Sequence, residues 1–483
     1  KAVSEWSLSF VLSSLSILSN ATTLNAALVN TTGANGQIYD TALSFGVSAP
    51  ATVNLSAATG VVDFRSSVSI SSKNLVVTGD EIEIGTSASI SSTSSNLTLR
   101  PGSLFTPVYV GDNSSTGGQL DLTAAELSRL NDGFASITLG RGDSNVILEI
   151  KGPLNSQIHD PYIFTTSGEL KISNSVAATS DATLNFVNPN TATGKISLNS
   201  AVSSEGKSIT FNGVTVVGGT GGQVTTTVNS PSGADILFLA ASPISGTALL
   251  TLDSGSNGVI TSNGVINMSG GVTITNSGGA SFNQAVTAGA VNINGTTSGK
   301  DVAFNGTLNA TSLNTVTGAY NLKVLSGGNI TGATTLNNTG TTTLGDQTTD
   351  VLTFAGGLTA TSSSLLNLAG TIATTNTAMT LGNSVLTTST TLRSGNASGI
   401  ITTGSVTGGV GIKLSLQNSS ALGEVRLTGN VTVNQLETFG GGYAVKLTGS
   451  NNQISSGTAT TFLNTGGVTF GDSTTDVSTF TNG

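Results

Sequence analysis

The chain contains no cysteine, one tryptophan, one histidine and only eight prolines in 483 residues. The lack of cysteine excludes disulfides and thiolate metal sites, and it agrees with a bacterial surface protein. Charged residues make up 8 % and aromatic residues 5 % of the chain. Sixteen Lys and Arg spread over this length, in a chain of formal net charge −9, cannot form a stripe that tracks phosphates. Nucleic acid is therefore not expected as a partner. No run approaches the ~18 consecutive apolar residues of a membrane span, so no transmembrane segment is expected. The apolar start is not a signal helix either. Trp6, Leu8, Phe10 and Leu12 alternate with Ser7, Ser9 and Val11, the period of a strand, and there is no charged n-region followed by a small-residue cleavage site. An export signal, if there is one, has been removed or lies upstream of Lys1.

What is present is glycine, 62 residues of it, among abundant Ser, Thr and Asn, with Val, Ile, Leu and Thr recurring throughout. That mixture suits a chain built of short strands and tight turns. It also repeats itself. Thr334–Gly357, TTLNNTGTTTLGDQTTDVLTFAGG, returns as Thr460–Gly483, TTFLNTGGVTFGDSTTDVSTFTNG, with 15 of 24 positions identical at an offset of 126 (460 − 334). Upstream, Leu313–Val324 (LNTVTGAYNLKV) lies over Leu436–Leu447 (LETFGGGYAVKL) at an offset of 123 (436 − 313). A module of about 125 residues is read from this, beginning near Asn305 and again near Gly429, the second copy ending early at Gly483. The resulting division is a more charged β region over 1–174 with a short helical insertion, solenoid coils over 175–304, module copy 1 over 305–428 and a truncated copy 2 over 429–483.

The local signals agree with that division. Val61–Phe64, Leu75–Val77, Glu81–Ile84, Ile137–Gly140 and Val146–Ile150 read as strands separated by Gly and Ser turns. In LTAAELSRLNDGF, Thr123 and Glu126 form a capping box and Gly133 supplies a stop, which predicts a short helix over 124–131. Beyond about Ser175 the echoes shorten. GKSITFNGV (Gly206–Val214) resembles GKDVAFNGT (Gly299–Thr307), and Val272–Thr275 recurs 19 residues later (291 − 272) as Val291–Asn294. Alternating strands with one buried face, repeated at such intervals, predict an all-β solenoid of coils stacked about 4.8 Å apart, with Asn and Thr ladders in the turns. Coils of roughly 20–25 residues would make on the order of 20 coils and a rod of about 100 Å. Tandem β-sandwich modules are the alternative, but they would bring more proline and longer loops.

Leu122–Asn145 (LTAAELSRLNDGFASITLGRGDSN), followed by β repeats such as GVTFGDSTTDVSTF, resembles the filamentous-haemagglutinin-like β-strand-repeat adhesins, very large surface proteins common in cyanobacteria and other Gram-negative bacteria. The resemblance implies a right-handed β-helix, export, and a role in adhesion or surface matrix. The NPNG-type motif of that family's secretion domain has no good match, since Asn188-Pro189-Asn190 is followed by Thr191.

Sites of chemistry are sparse. The GDxxTD turns place Asp346 with Asp350, and Asp472 with Asp476, at equal spacing in the two module copies. Such pairs can contribute oxygens to calcium, the one cofactor considered, or can cap a turn through the chain's own backbone. Glu81 and Glu83, beside Asp80, can be an acid/base pair on a polysaccharide-cleaving β-helix or simply a solvated strand face. Arg141-Gly142-Asp143 is an integrin-type tripeptide or a Gly-centred turn. His159, beside Asp160 and Pro161, has no second His or Cys with which to form a metal set. With no nucleophile elbow and no phosphate loop, the chain is read as not an enzyme. The expectation is an extracellular, cell-surface structural protein that self-associates end to end into a fibre or adhesin rod, with surface glycans or other cells as its further partners. The alternatives are a carbohydrate-binding or carbohydrate-cleaving β-helix and a monomeric stalk of a giant adhesin.

Overall fold

The computed structural model describes residues 12–18, 20–112, 118–239, 243–395, 399–418, 423–457 and 459–481. Among them, strands succeed one another at intervals of a few residues, and every strand pairing is parallel. The only antiparallel contact among the described residues is an isolated bridge between Glu205 and Thr227. This is a β-solenoid with turns numbering about 20. The β-sandwich alternative is set aside, because hairpin-connected sandwiches pair their strands antiparallel.

Two compact units divide the chain, Lys1–Ser230 with Phe238–Ser242, and Pro231–Leu237 with Pro243–Gly483. In the first unit a coil is made of three strands. Tyr162–Thr166, Glu169–Ile172 and Val176–Ala178 are followed by Leu184–Val187, Lys195–Leu198 and Val202–Ser204, and each strand lies beside its counterpart. Tyr162 pairs with Leu184, a coil of 22 residues (184 − 162). The alternation seen in the sequence is what closes each coil. In Tyr162–Thr166 and Leu184–Val187 every second side chain is buried, and these inward residues form the core.

Because coils stack in register, identical residues stack too. Phe164, Phe186, Phe211 and Phe238 form a column with ring centroids 5.3, 5.2 and 5.0 Å apart and planes within 16° of parallel. The separation follows from the strand spacing, to which offset-stacked rings are well matched. Phe282 and Phe304 repeat the arrangement in the second unit at 5.1 Å. The sequence echo of GKSITFNGV and GKDVAFNGT thus reflects one position of the coil, with Phe211 in one column and Phe304 in the other.

The second unit shows how short echoes become ladder neighbours. Val272, Thr273 and Ile274 pair with Val291, Asn292 and Ile293, the 19-residue repeat of the sequence. Asn side chains climb the surface in a ladder. Asn283 Nδ2 donates to Asn263 Oδ1 at 2.7 Å, and Asn305 Nδ2 to Asn283 Oδ1 at 2.8 Å. The two module copies make the same internal bond. Asn338 donates to the carbonyl of Tyr320, and Asn464 to that of Tyr443. Both asparagines are buried, and each donates to a backbone carbonyl of the neighbouring coil.

The helix forms but is shorter than expected, Ala124–Leu127. Its capping box is present, with Thr123 Oγ1 accepting from Glu126 N and Glu126 Oε2 accepting from Thr123 N. It stops before residue 131 because the ladder takes over. Ile90 N donates to Arg129 O, Asn131 N donates to Ile90 O, and Leu130 bridges Ile90 in parallel. Gly133 is therefore not the helix stop. Its positive φ of 125° belongs to the next turn, where a Cβ would come within 2.5 Å of Ser92 O. The alternating segment at the start of the chain lies, as far as residue 11, outside the described residues. No helix among the described residues is long and apolar enough to cross a membrane.

Candidate functional site

The strongest chemical constellation lies beneath the helix. The strand Glu81–Ile84 buries Ile82 and Ile84 and turns Glu81 and Glu83 outward, as its alternation requires. The neighbouring strand Leu120–Leu122 brings Asp121, and the helix adds Glu126. With Thr123 and Arg129 these carboxylates line a recess of about 270 Å³. Glu126 is held by three donors, Thr123 N at 2.9 Å, Thr123 Oγ1 at 2.8 Å and Ile84 N at 3.1 Å. Gln119 Nε2 donates to both oxygens of Asp121 at 3.1 and 3.0 Å. The Arg129 guanidinium donates to the Ile84 carbonyl.

Burial in a partly dry recess, and then crowding of like charge, raises two of the acids, Glu81 and Glu83. Burial, then the charges of Glu83 and Asp121, pushes Glu81 up to about 8. Glu83 is raised as well, by burial first and then by the neighbouring Glu126. A carboxyl that keeps its proton near neutral pH beside ionised carboxylates can act as a general acid or bind a polar ligand. Asp80 is not part of this group. Its Oδ1 accepts from Ser103 N at 2.7 Å and caps another turn. Asp121 and Glu126 were missed as members of the recess, because an insertion between coils carries them past Leu97, whose partner Ile137 lies 40 residues on (137 − 97). Glu126 was legible only as a helix cap.

The GDxxTD turns present a different geometry. Asp350 Oδ2 accepts from Asp346 N at 2.9 Å and from Gln347 N at 2.7 Å. Asp476 Oδ2 does the same with Asp472 N at 2.8 Å and Ser473 N at 2.9 Å. The second carboxylate of each pair is thus engaged by the turn's own backbone, while Asp346 and Asp472 stand exposed. These bonds hold the Asp476 carboxyl below its ordinary value, whereas burial and the charge of Asp350 raise Asp346. Replacing Asp350 by alanine is expected to cost about 1 kcal/mol, as for loss of a cap. Hydrogen exchange of the 346–350 turn, run with calcium and with chelator, should show the same loss in both. A loss seen only with calcium present would make the turn a cation site.

Arg141 and Asp143 do not display a free tripeptide. Arg141 Nε and Nη2 donate to the two oxygens of Asp143 at 2.7 and 2.8 Å, and Nη1 reaches the carbonyls of Pro101 and Gly102. This pairing draws Asp143 down to about 2.

Together the coils and their stacked cores define a β-solenoid repeat protein. No protein-family model, no curated protein and no solved structure matches this chain.

Proposed function

We propose that the chain is an extracellular structural protein of the bacterial surface, a stretch of β-solenoid that serves as a fibre or adhesin rod and is not an enzyme. The observation that carries this reading is the use made of the chain. Nearly every strand is spent on coil-to-coil pairing, and the outward faces carry Ser, Thr and Asn, as in the ladder Asn263–Asn283–Asn305. Some charges on those faces pair between adjacent coils, as in Lys171 with Glu149, Lys195 with Glu169 and Lys446 with Glu424. Such pairs add little energy, and with only 8 % charged residues the outward faces leave room for coils or rods to pack side by side. The sequence resemblance to β-strand-repeat adhesins points the same way.

End-to-end association has a physical basis, since a solenoid coil offers unpaired strand edges along its stacking direction, and head-to-tail contacts that do not close make filaments. Electron microscopy of the purified chain over a dilution series, with parallel sedimentation, tests this. Filaments that survive dilution are expected. Single particles at every concentration would reduce the role to a monomeric stalk.

The acidic recess favours a second reading, a carbohydrate-binding or carbohydrate-cleaving β-helix, because it clusters carboxylates around a raised Glu81. Against it, no aromatic side chain among the described residues lines the recess to stack on a sugar ring. The same preparation incubated with acidic and neutral polysaccharides should release no reducing ends. Release that is abolished by Glu81→Gln would favour the second reading.

A further inference from the structure

His159, the only histidine of the chain, follows the strand Leu154–Ile158, and its ring is mostly buried. Its Nδ1 lies 3.3 Å from Oδ2 of Asp160, a residue only 1 % exposed. The other Asp160 oxygen, Oδ1, accepts from Gly133 N at 2.9 Å and Phe134 N at 2.8 Å, so the carboxylate is fixed against the preceding coil. The facing atoms are different. His159 Nδ1 and Asp160 Oδ2 are both buried and face each other as an ion pair, with no other hydrogen-bond partner among the described residues. At 3.3 Å this contact is long for a charge-assisted hydrogen bond, and it leaves the two buried atoms with room to share a further partner. Asp132, immediately before Gly133, adds a third donor, so that one ligand atom from each of the three residues lies within 4.8 Å of the others.

We propose that Asp132, His159 and Asp160 form a binding site for a divalent metal ion of the zinc class. The donor set decides the class. An imidazole nitrogen with carboxylate oxygens suits zinc and its first-row neighbours, whereas calcium takes six to eight oxygens and magnesium keeps its waters. The geometry agrees. Two ligands held by zinc at roughly 2.0–2.1 Å and at tetrahedral angles stand about 3.3 Å apart, the separation found between Nδ1 and Oδ2. Asp132 is exposed and reaches the site from the turn that follows the helix. The ion would tie that turn to the 159–160 turn of the next coil, using a carboxylate already anchored there by two backbone donors. Three protein ligands leave one tetrahedral position for water.

The composition makes the test clean. With one histidine and no cysteine in the chain, imidazole-dependent zinc binding has no second origin, provided that the protein carries no histidine tag. The tag-free full chain, stripped with chelator, is titrated with Zn²⁺ by calorimetry and melted with and without it. Uptake of a single equivalent and a rise in melting temperature are expected. His159→Gln and Asp132→Asn should each weaken binding at least roughly tenfold, the scale set by loss of even an outer-sphere partner. Excess calcium or magnesium should not displace the zinc. Asp132→Asn alters an exposed side chain, so an unchanged circular dichroism spectrum will certify its fold. Zinc uptake no better in wild type than in His159→Gln, or unaffected by Asp132→Asn, would overturn the proposal and leave His159 and Asp160 as a pair bridged only by a proton.

Discussion

Replacing Phe186 by alanine is expected to cost about 3–5 kcal/mol and to do so locally. Phe186 is fully buried between the rings of Phe164 and Phe211, at 5.3 and 5.2 Å. Its removal forfeits both stacking contacts, each worth roughly 0.5–1.5 kcal/mol beyond the burial of area. The hole cannot close by settling of the coils, because Leu184–Val187 is hydrogen-bonded to Tyr162–Thr166 on one side and Ile209–Asn212 on the other. Phe186→Leu, which refills much of the volume, should lose far less. Locality follows from the architecture, since stability in a stack of coils is a sum of terms between neighbours. Amide protection should therefore fall in Tyr162–Thr166, Leu184–Val187 and Ile209–Asn212. It should persist in coils further off in the same unit, such as Thr52–Ser56 paired with Asn74–Thr78. Hydrogen exchange read by mass spectrometry resolves these segments. A uniform loss across the unit would show that its coils unfold as one body.

The same column explains which parts of the fold could be read in advance. Alternation of apolar and polar residues is a local property, and it marked Val61–Phe64, Glu81–Ile84 and Val272–Thr275 as strands before their partners were known. Short echoes carried register as well, since Val272 and Val291 prove to be direct neighbours. The length of the helix was not legible, because the residues that end it do so by pairing with Ile90, some 40 positions back (130 − 90). The constellations failed for the same reason. Glu83 comes near Glu126 only because an insertion lengthens one coil, whereas Asp132 meets His159 across the next coil, where Ile137 pairs with Tyr162. No periodicity of the sequence announces where an insertion returns to the ladder. Asp350 and Asp476 were legible as a pair of equivalent turns, and their bonds to backbone N–H groups follow from spacing alone.

Stability should fall as pH rises from about 5 to 8, with Glu81 contributing alongside Glu83 and His159, which are also raised. Its folded value is raised to about 8 from an ordinary 4.5. Below 4.5 the folded and unfolded chains both hold the proton, and the recess costs nothing. Between 4.5 and 8 the unfolded chain has released its proton while the folded chain keeps it, so each step upward in pH favours unfolding. Above 8 both forms are ionised and the full penalty remains. Glu81 still meets water on one side, and screening there reduces the cost well below what the shift alone implies, to about 1–2 kcal/mol. Glu83, also raised, adds to the slope in the same direction. Asp143, drawn down to about 2, changes stability only at more acid pH and leaves this window undisturbed. Glu81→Gln keeps the shape of the side chain and removes its titration. Melting curves from pH 5 to 8.5 should slope downward in wild type and less steeply in the variant, with the two proteins closest at pH 5. A wild-type curve already flat over that range, or a variant with an undiminished slope, would mean that the carboxyl is ionised and solvated. The recess could then supply no acid, and the second functional reading would lose the one feature that favours it.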